Sequence, residues 1–518
     1  MAKKASPPAH NKADTTTANK SDASSIDAPF TEGSVFKHVI TMTVTGAVGL
    51  LAVFAVDLLD MYFLTMLDEA EIAASIGFAG TILFFTASIC IGLAIATGAT
   101  TARAVGTRDR AKTGLVATNA LLFTFIVAAI VALLFYPLLS DILTMLGAKG
   151  PTHTYALMYM QILLPTLPVI AMGMAAGGIL RALGDARRAM LVMISAAVVN
   201  GILDPILIFG MNLGLEGAAY ASAAARVAMM GAGFFAIFGV HGLRSRWSMT
   251  DFLTTLKPLM KIAGPAIITN VATPIGNAYV ITVIAQYGDS VVAGNTIVAR
   301  ITPVAFALFF SMSGSIGPII GQNLGAHLYD RVHETVASSL RFIAGYTTVL
   351  WAAFVLGQEM IISSFSATQE AASMIRVFCI WVVPLTAFLG ALFVANAAFN
   401  NLGHPMRATF FNVSKATIGT VPFVYFGALY YGPEGALVAQ AVGSMVVAIA
   451  AVYVCFATIR AVAAAADIAA DCDVVDHLAD DTAPKTPLMP YSSARAFHAQ
   501  ADNLTDHPSS AGAKEPTG

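Results

Sequence analysis

Long apolar segments alternate with short polar breaks along most of the chain. A helix needs about 20 mostly apolar residues to cross a lipid bilayer, and twelve segments meet this length. They lie at residues 36–66, 71–105, 110–143, 151–182, 185–209, 214–241, 255–287, 290–323, 327–364, 367–402, 405–430 and 433–465. The pattern predicts an all-α integral membrane protein with twelve transmembrane helices, numbered here in chain order.

Charged residues are concentrated at the two ends of the chain. Of 518 residues, 57% are hydrophobic and 11% charged, whereas a soluble domain has about 25% charged residues. Residues 1–34 hold 8 charged residues and residues 466–518 hold 12, which leaves 38 for the 431 residues between them. We therefore expect disordered tails at 1–34 and 466–518, the second of them acidic. No basic patch with interleaved aromatic residues indicates nucleic-acid binding.

Lysine and arginine in the short loops predict the orientation. One set of loops is basic, and the opposite set is mostly neutral or acidic; the basic set includes Arg103, Arg108, Arg110, Lys112, Arg187, Arg188, Arg331 and Arg407. The basic loops are predicted to be cytoplasmic, which puts both termini inside. Residues 1–34 have no hydrophobic region of their own, so we expect no signal peptide. A monomer surrounded by lipid in the inner membrane of a bacterium is the expected setting.

The chain contains an internal duplication. Four landmarks recur at an offset of 219 and a fifth at 218; the pairs are Ala74 and Ala293, Gly106 and Gly325, Pro165 and Pro384, Gly184 and Gly403, and Gly217 and Gly435. We infer two bundles of six helices, at 35–242 and 255–465, joined by a cytoplasmic linker at 243–254. Because six is even, both halves have the same orientation, and a pseudo-two-fold axis along the membrane normal is expected.

The acidic residues deep in the first and fifth predicted helices are not duplicated. At the same offset, Asp60 corresponds to Tyr279 and Asp204 to Phe423. Asn200, one helical turn before Asp204, corresponds to a glycine. An ionisable residue in the membrane is costly and indicates a functional site. The sequence therefore predicts a function confined to the first half.

Four polar residues from three helices are predicted at one depth. At 1.5 Å of rise per residue, Asp60, Asp204, Asn200 and Ser222 lie roughly 8–14 Å below the outer ends of helices 1, 5 and 6. Asp57 lies one turn below Asp60. Their oxygen atoms are hard ligands suited to Na⁺ and unsuited to soft metals; alternatively, the two carboxylates could hold a proton. Hydrogen bonding between helices, without any ion, is a third interpretation.

A resemblance to the multidrug and toxic compound extrusion (MATE) transporters rests on several motifs in order. They are Asp60-Met-Tyr-Phe-Leu, the RALGD turn at 181–185, the stretch from Asn200 to Gly210, the stretch from Gly217 to Ser222, and GQNLGA at 321–326. The resemblance implies export of organic cations driven by Na⁺ or H⁺. It also implies a cation site at the positions of Asp60, Asn200, Asp204 and a hydroxyl at Ser222, where the family often has threonine.

Two features depart from the family pattern. The stretches TNVATPIGNAYVITVIAQYG of helix 7 and IWVVPLTAFLGALFVANAAFNN of helix 10 contain no acidic residue, although some members of the family have one there. Helix 1 has no proline at which to bend. For the substrate cavity we predict Tyr279, Asn277 and Arg300, although Arg300 could instead pair locally or extend to the membrane surface.

The leading hypothesis is therefore a cation-coupled antiporter of amphipathic, often cationic drugs. A related flippase of lipid-linked saccharides shares the fold, but would favour a basic cavity and extra helices. A channel would need polar residues along its full depth. An enzyme is not expected, since the sequence shows no nucleophile–base set and no metal-ligand spacing, and no cofactor is predicted apart from the coupling ion.

Overall fold

The computed structural model describes residues 25–67, 70–245, 248–365 and 367–482. These residues are almost entirely helical, and their β-type pairing is limited to one isolated bridge between Ser25 and Asp109. The prediction of an all-α membrane protein is confirmed.

Six long helices form the first half. They are α1 (Val35–Thr65), α2 (Ala70–Gly106), α3 (Arg110–Phe135), α4 (Gly150–Ala182), α5 (Ala186–Gly210) and α6 (Gly214–Val240). A short helix, Leu139–Met145, follows α3. The prediction that helix 3 continues to residue 143 is wrong, because Pro137 has no N–H to donate to the carbonyl of Leu133 and the helix ends at Phe135.

Six more helices follow the same order. They are α7 (Met249–Ala285), α8 (Asp289–Ala305 and Ala307–Gly325), α9 (Tyr329–Ser364), α10 (Gln369–Asn401), α11 (405–431, with a turn at 417–420) and α12 (433–482). A 42° bend divides α8 just after Pro303. Because α7 begins at Met249, the predicted linker 243–254 is shorter than expected.

The number of spanning helices agrees with twelve. Ten helices among the described residues are long and apolar enough to cross a membrane, and the bent pair in α8 makes eleven. The last of these, Pro405–Ile468, contains two spans, because Gly432 has a φ of 67° and interrupts the helix. Dividing it there gives α11 and α12.

The C-terminal helix is longer than predicted. Residues 466–482, assigned above to a disordered tail, continue α12 to Thr482. The alanine-rich run at 461–470 favours helix strongly enough to extend it beyond the apolar segment. The rest of that predicted tail, residues 483–518, lies outside the described residues, as do residues 1–24.

The backbone repeats the duplication seen in the sequence. Arg108 and His327, which are 219 residues apart, both adopt left-handed φ values, 58° and 60°. Such values are uncommon for residues other than glycine. Gly184 and Gly403 form a second pair at the same offset, with φ of 84° and 86°. The turns that follow equivalent helices therefore have the same conformation in both halves.

Equivalent residues of α2 and α8 contact each other. A Cβ atom on Gly106 would lie 2.9 Å from Cα of Gly325, and one on Gly325 would lie 3.0 Å from Cα of Gly106. Residues related by a two-fold axis can touch one another only near that axis. These contacts therefore fit an axis that passes between the cytoplasmic ends of α2 and α8. The division into two bundles at 35–242 and 255–465 stays a prediction.

A matching pair of hydrogen bonds surrounds these glycines. Arg103 donates to the carbonyl of Asn401 at the end of α10, and Gln322 donates to the carbonyl of Ala182 at the end of α4, at 2.7 Å. Arg103 and Gln322 are 219 residues apart, and so are Ala182 and Asn401. Each half thus satisfies the last carbonyls of a helix in the other half.

The RALGD turn fixes the start of α5. Asp185 accepts a hydrogen bond from the backbone N–H of Arg188 at 3.0 Å and caps the helix. Burial alone would raise the pKa of Asp185, but hydrogen bonds from His241 and Arg188 outweigh it and hold that pKa below its usual range. The turn therefore has a structural role at the start of α5.

Residues 25–34 are ordered, so the prediction of a disordered tail is wrong for this segment. Phe30 is 3% exposed. Its N–H donates to Oε1 of Gln322 at 2.9 Å, and its carbonyl accepts from Asn323 at 3.1 Å and from Arg331 at 2.9 Å. The short 3-10 helix Pro29–Thr31 presents this side chain to the core. We refer to residues 25–34 as the N-terminal segment.

Candidate functional site

The predicted acidic residues of α1 and α5 lie on neighbouring helices. Asp60 is half-buried on α1, which packs against α5. On α5, Asp204 is fully buried and Asn200 half-buried. Nδ2 of Asn200 donates to Oδ2 of Asp204 at 2.5 Å, across one helical turn. Asn200 therefore orients one oxygen of the buried carboxylate.

The backbone of α5 changes just after Asp204. The helix includes Pro205 and then widens into a π-helix over Ile206–Gly210. Short π-helical segments are frequent at functional sites. Here α6 approaches closely, since a Cβ on Gly217 would lie 2.7 Å from the carbonyl carbon of Leu207. The glycine lets α6 contact α5 and brings Ser222 toward the site.

Two buried carboxylate oxygens, one on α1 and one on α5, are distinctive in their surroundings. Oδ1 of Asp60 and Oδ1 of Asp204 are both buried, and neither receives a hydrogen bond from the described residues. The two side chains are close enough for their charges to interact. Buried polar atoms without partners are rare and costly, because they lose their hydration without replacement. A cation between these oxygens would supply what each lacks.

Tyr159 on α4 is a member of the site that the sequence did not reveal. It is 5% exposed and lies within hydrogen-bonding reach of Ser222. Its hydroxyl is also close enough to interact electrostatically with Asp60 and Asp204. A tyrosine in an apolar helix has no distinctive sequence signal, although its depth, nine residues from the outer start of α4, matches that of the other members.

Arg226 brings a positive charge to the same region. It donates to the carbonyl of Leu163 at 2.8 Å and to Thr166 at 2.7 Å, where α4 is interrupted by a 3-10 turn. Its charge also interacts with Tyr159. A lone arginine inside the apolar segment of helix 6 was a signal for this residue. Arg226 therefore stabilises the break in α4 next to Tyr159.

The remaining predicted residues lie apart from this cluster or at its edge. Asp57 is exposed, although its charge reaches Asp60. Asn277 and Arg300 are exposed, and Tyr279 is half-buried against the core of the second half. Asn277 accepts only a long hydrogen bond, 3.5 Å, from Gln440. Their role in a substrate cavity stays a prediction.

The donor set defines the chemistry that is available. The cluster of Asp60, Asp204, Asn200, Tyr159 and Ser222 offers carboxylate, amide and hydroxyl oxygens, which suit a hard monovalent cation or a proton. Among the described residues, no group of three or more His, Cys, Asp or Glu side chains could hold a metal ion. We call these five residues the acidic cluster.

Comparison with known proteins gives a family. A family model described as MatE matches residues 47–206 and 265–426, more than half of the chain. The two matches begin 218 residues apart, in agreement with the internal duplication.

Full-length relatives are also similar. The chain is 27% identical over 435 residues to a FAD transporter of Shewanella oneidensis, covering 80% of this chain and 93% of that protein. It is 23% identical over 437 residues to the multidrug export protein MepA of Staphylococcus haemolyticus, covering 82% and 94%.

Solved structures share the fold. The Vibrio cholerae MATE transporter VcmN in its bent form has a TM-score of 0.77 and 24% identity, over 83% of this chain and 98% of that one. A MOP superfamily transporter from Pyrococcus furiosus has a TM-score of 0.78 and 21% identity, over 84% and 98%. At these identities the likeness shows the fold alone.

Proposed function

Because the chain belongs to the MatE family of membrane transporters, we propose that it exports organic, often cationic amphipathic compounds in exchange for Na⁺ or H⁺. The coupling cation would bind at the acidic cluster of the first half. The similarity to the multidrug export protein MepA supports this choice of substrates.

One observation supports the proposed coupling site above all. Oδ1 of Asp60 and Oδ1 of Asp204 are buried, lie on two helices that pack against each other, and have no hydrogen-bond partners among the described residues. When both carboxylates are ionised they repel each other. A Na⁺ ion would be attracted by both charges, and a proton would remove one of them. Either cation would therefore stabilise the packing of α1 against α5.

Coupling would follow if α1 and α5 pack differently in the two states of the transporter. A transporter with inward-open and outward-open states responds to a cation only if the cation binds the two states with different affinity. The acidic cluster draws residues from α1, α4, α5 and α6, so a change in the packing of these helices would change its affinity. Export of a compound could then be driven by cation entry.

Efflux from proteoliposomes tests the proposal. The purified protein would be reconstituted with ethidium inside, and a Na⁺ gradient and a pH gradient would be imposed separately. We expect one gradient to drive efflux in the wild type. Asp60→Asn and Asp204→Asn should reduce gradient-driven efflux to the rate of protein-free liposomes while the melting temperature of each variant stays near that of the wild type.

Asp141→Asn is the matched control. This aspartate is exposed on the short helix after α3, outside the spanning helices, so the same chemical change should leave efflux unaffected. Wild-type efflux in both Asp60→Asn and Asp204→Asn would refute the coupling site.

A second candidate substrate is FAD. The similarity to the Shewanella FAD transporter extends over 93% of that protein, which favours testing it in the same liposomes. FAD efflux without ethidium efflux would support this candidate and would contradict a preference for organic cations.

The proposed setting is a bacterial inner membrane, with a monomer in lipid and both termini in the cytoplasm. The basic loops on one side support this orientation. A reporter enzyme fused after residue 518 and active only in the cytoplasm should show activity, whereas a periplasmic reporter at the same position should not.

A further inference from the structure

A large groove opens between the outer halves of α10, α11 and α12. Its volume is about 1120 Å³, slightly above the roughly 300–1,000 Å³ that is typical of a small-molecule site. It lies in the second half, which has no equivalent of the acidic cluster. Its walls include five aromatic residues and one carboxylate: Trp381, Phe423, Phe426, Tyr430, Tyr431 and Glu434. We call this feature the outer groove.

The aromatic rings of the outer groove are available for contact. Trp381 is 62% exposed and Tyr430 71% exposed, although both line a concave surface. Phe426 and Tyr430 stack nearly parallel, with ring centroids 6.4 Å apart. An aromatic face attracts a cation, most strongly where water is excluded.

The carboxylate of Glu434 is held in place at the same groove. It begins the first turn of α12, and its Oε1 accepts a hydrogen bond from Oγ of Ser373 on α10 at 2.8 Å. Within the outer groove it is the one residue that carries a charge. The groove therefore combines an apolar aromatic wall with one fixed negative charge.

The first half does not share this arrangement. At the offset of 219, Trp381, Phe426 and Tyr430 correspond to Ile162, Leu207 and Met211. Glu434, in contrast, corresponds at the offset of 218 to Glu216, which also lies in the first turn of its helix. The acid is part of the shared scaffold, whereas the aromatic wall around it belongs to the second half alone.

We propose that the outer groove binds an amphipathic organic cation, with its charged nitrogen or phosphorus near Glu434 and its apolar part against the aromatic wall. The site is separate from the acidic cluster. Because it opens in the outer half of the membrane, it would hold such a compound where it enters or leaves the outer leaflet.

Charge complementarity selects a cation over the two simpler occupants of such a groove. Lipid acyl chains would fill an apolar groove equally well without a carboxylate. Tryptophan and tyrosine at a membrane surface often serve only as an interfacial belt, but a belt does not require a cavity or an acid held by a serine. The charge of Glu434 is therefore the feature to test.

Contact quenching of Trp381 reports directly on this groove. The chain has three tryptophans, and the substitutions Trp247→Phe and Trp351→Phe leave Trp381 as the sole indole. The full-length protein would be placed in nanodiscs of neutral phosphatidylcholine and titrated with N-dodecylpyridinium, an amphipathic cation that quenches indole fluorescence. We expect saturable quenching.

Three further substitutions in this background test which carboxylate contributes to binding of the pyridinium. Glu434→Gln should raise the half-saturating concentration about fivefold or more, as expected for loss of an ionic partner beside aromatic rings. Glu216→Gln, its counterpart in the first half, should not change it. Asp204→Asn should not change the half-saturating concentration either, because Asp204 belongs to the proposed coupling site and not to the outer groove. A variant that loses coupled efflux but keeps saturable quenching would therefore leave the proposal for the outer groove intact.

Equal half-saturation in Glu434→Gln and its parent would overturn the proposal and indicate a lipid groove. If the two tryptophan substitutions prevent folding, equilibrium dialysis of tetraphenylphosphonium against otherwise wild-type protein and Glu434→Gln gives the same comparison. Tetraphenylborate, the anion of equal shape, should bind Glu434→Gln at least as tightly as the otherwise wild-type protein, because the substitution removes a repulsive charge.

Discussion

At the residue scale, Tyr159 connects the acidic pair to α4. Its hydroxyl lies within hydrogen-bonding reach of Ser222 and close to the charges of Asp60 and Asp204. An oxygen in this position can complete the ligand set of a cation or pass a proton along. The phenol ring itself is buried and packs in the core of the first half. The hydroxyl and the ring can therefore be separated by mutation.

Tyr159→Phe should weaken coupling without unfolding the protein. Removing one neutral hydroxyl from a buried site costs about 1–3 kcal/mol, or roughly 5-fold to 150-fold in affinity. We expect the concentration of the coupling cation needed for half-maximal efflux to rise within that range, at an unchanged melting temperature. Tyr220→Phe is the control, since Tyr220 is 48% exposed on α6. Equal effects of both substitutions would argue against a role for Tyr159 in the cluster.

Part of the acidic cluster could be predicted from sequence and part could not. Asp60, Asn200 and Asp204 stand out because a polar residue in an apolar segment is costly and because the second half lacks them. Tyrosine occurs both at surfaces and in protein cores, so the residue type alone did not indicate that Tyr159 belongs to the site. Its membership depends on how α4 is rotated against α6, which tertiary packing decides and periodicity does not.

At the scale of elements, the N-terminal segment joins both halves on the side of the basic loops. Ile26 donates to the carbonyl of Arg108 in the first half at 3.1 Å, and Phe30 bonds to Gln322 and Asn323 in the second. These ten residues, five of them polar, have no periodicity that predicts order. Their order arises from the pocket that the helix ends create around Phe30, so it could not be read from the segment itself.

Phe30→Ala should destabilise the protein markedly. A buried phenylalanine replaced by alanine typically costs about 3–5 kcal/mol, because a cavity remains. We expect a melting temperature several degrees lower in detergent and faster proteolysis near residue 30. Phe36→Ala removes a ring that is 41% exposed only six residues away and should have a much smaller effect. An unchanged melting temperature in Phe30→Ala would mean that the segment leaves its pocket in solution.

At the scale of the whole molecule, the duplicated helices α2 and α8 contact each other through equivalent residues. The positions of the helices and the offset near 219 were accessible from the sequence, since apolar length and glycine landmarks are local, but several helix ends were not. The contact of Gly106 with Gly325, and the exchange of hydrogen bonds by Arg103 and Gln322, required the structure. The sequence shows that Gly106 and Gly325 are equivalent in the two halves, but not that they are in contact.

The contact between Gly106 and Gly325 predicts how substitutions of these two glycines combine. A methyl group on Gly106 would lie within 3 Å of both the carbonyl oxygen of Gln322 and Cα of Gly325, so α2 and α8 must move apart. Gly106→Ala and Gly325→Ala should therefore lower the melting temperature by similar amounts. Gly80→Ala, on the same helix α2 but with nothing within 4 Å, should leave it unchanged or raise it slightly, because alanine favours helix over glycine.

The double variant distinguishes an axis contact from two separate defects. Once α2 and α8 have separated to admit one methyl group, the second should fit at little further cost, so the loss in melting temperature should be smaller than the sum of the two single losses. Strictly additive losses would mean that the glycines act independently. Unequal single losses would place the pseudo-two-fold axis away from this pair, and the closure of the two halves on the side of the basic loops would then depend on other contacts.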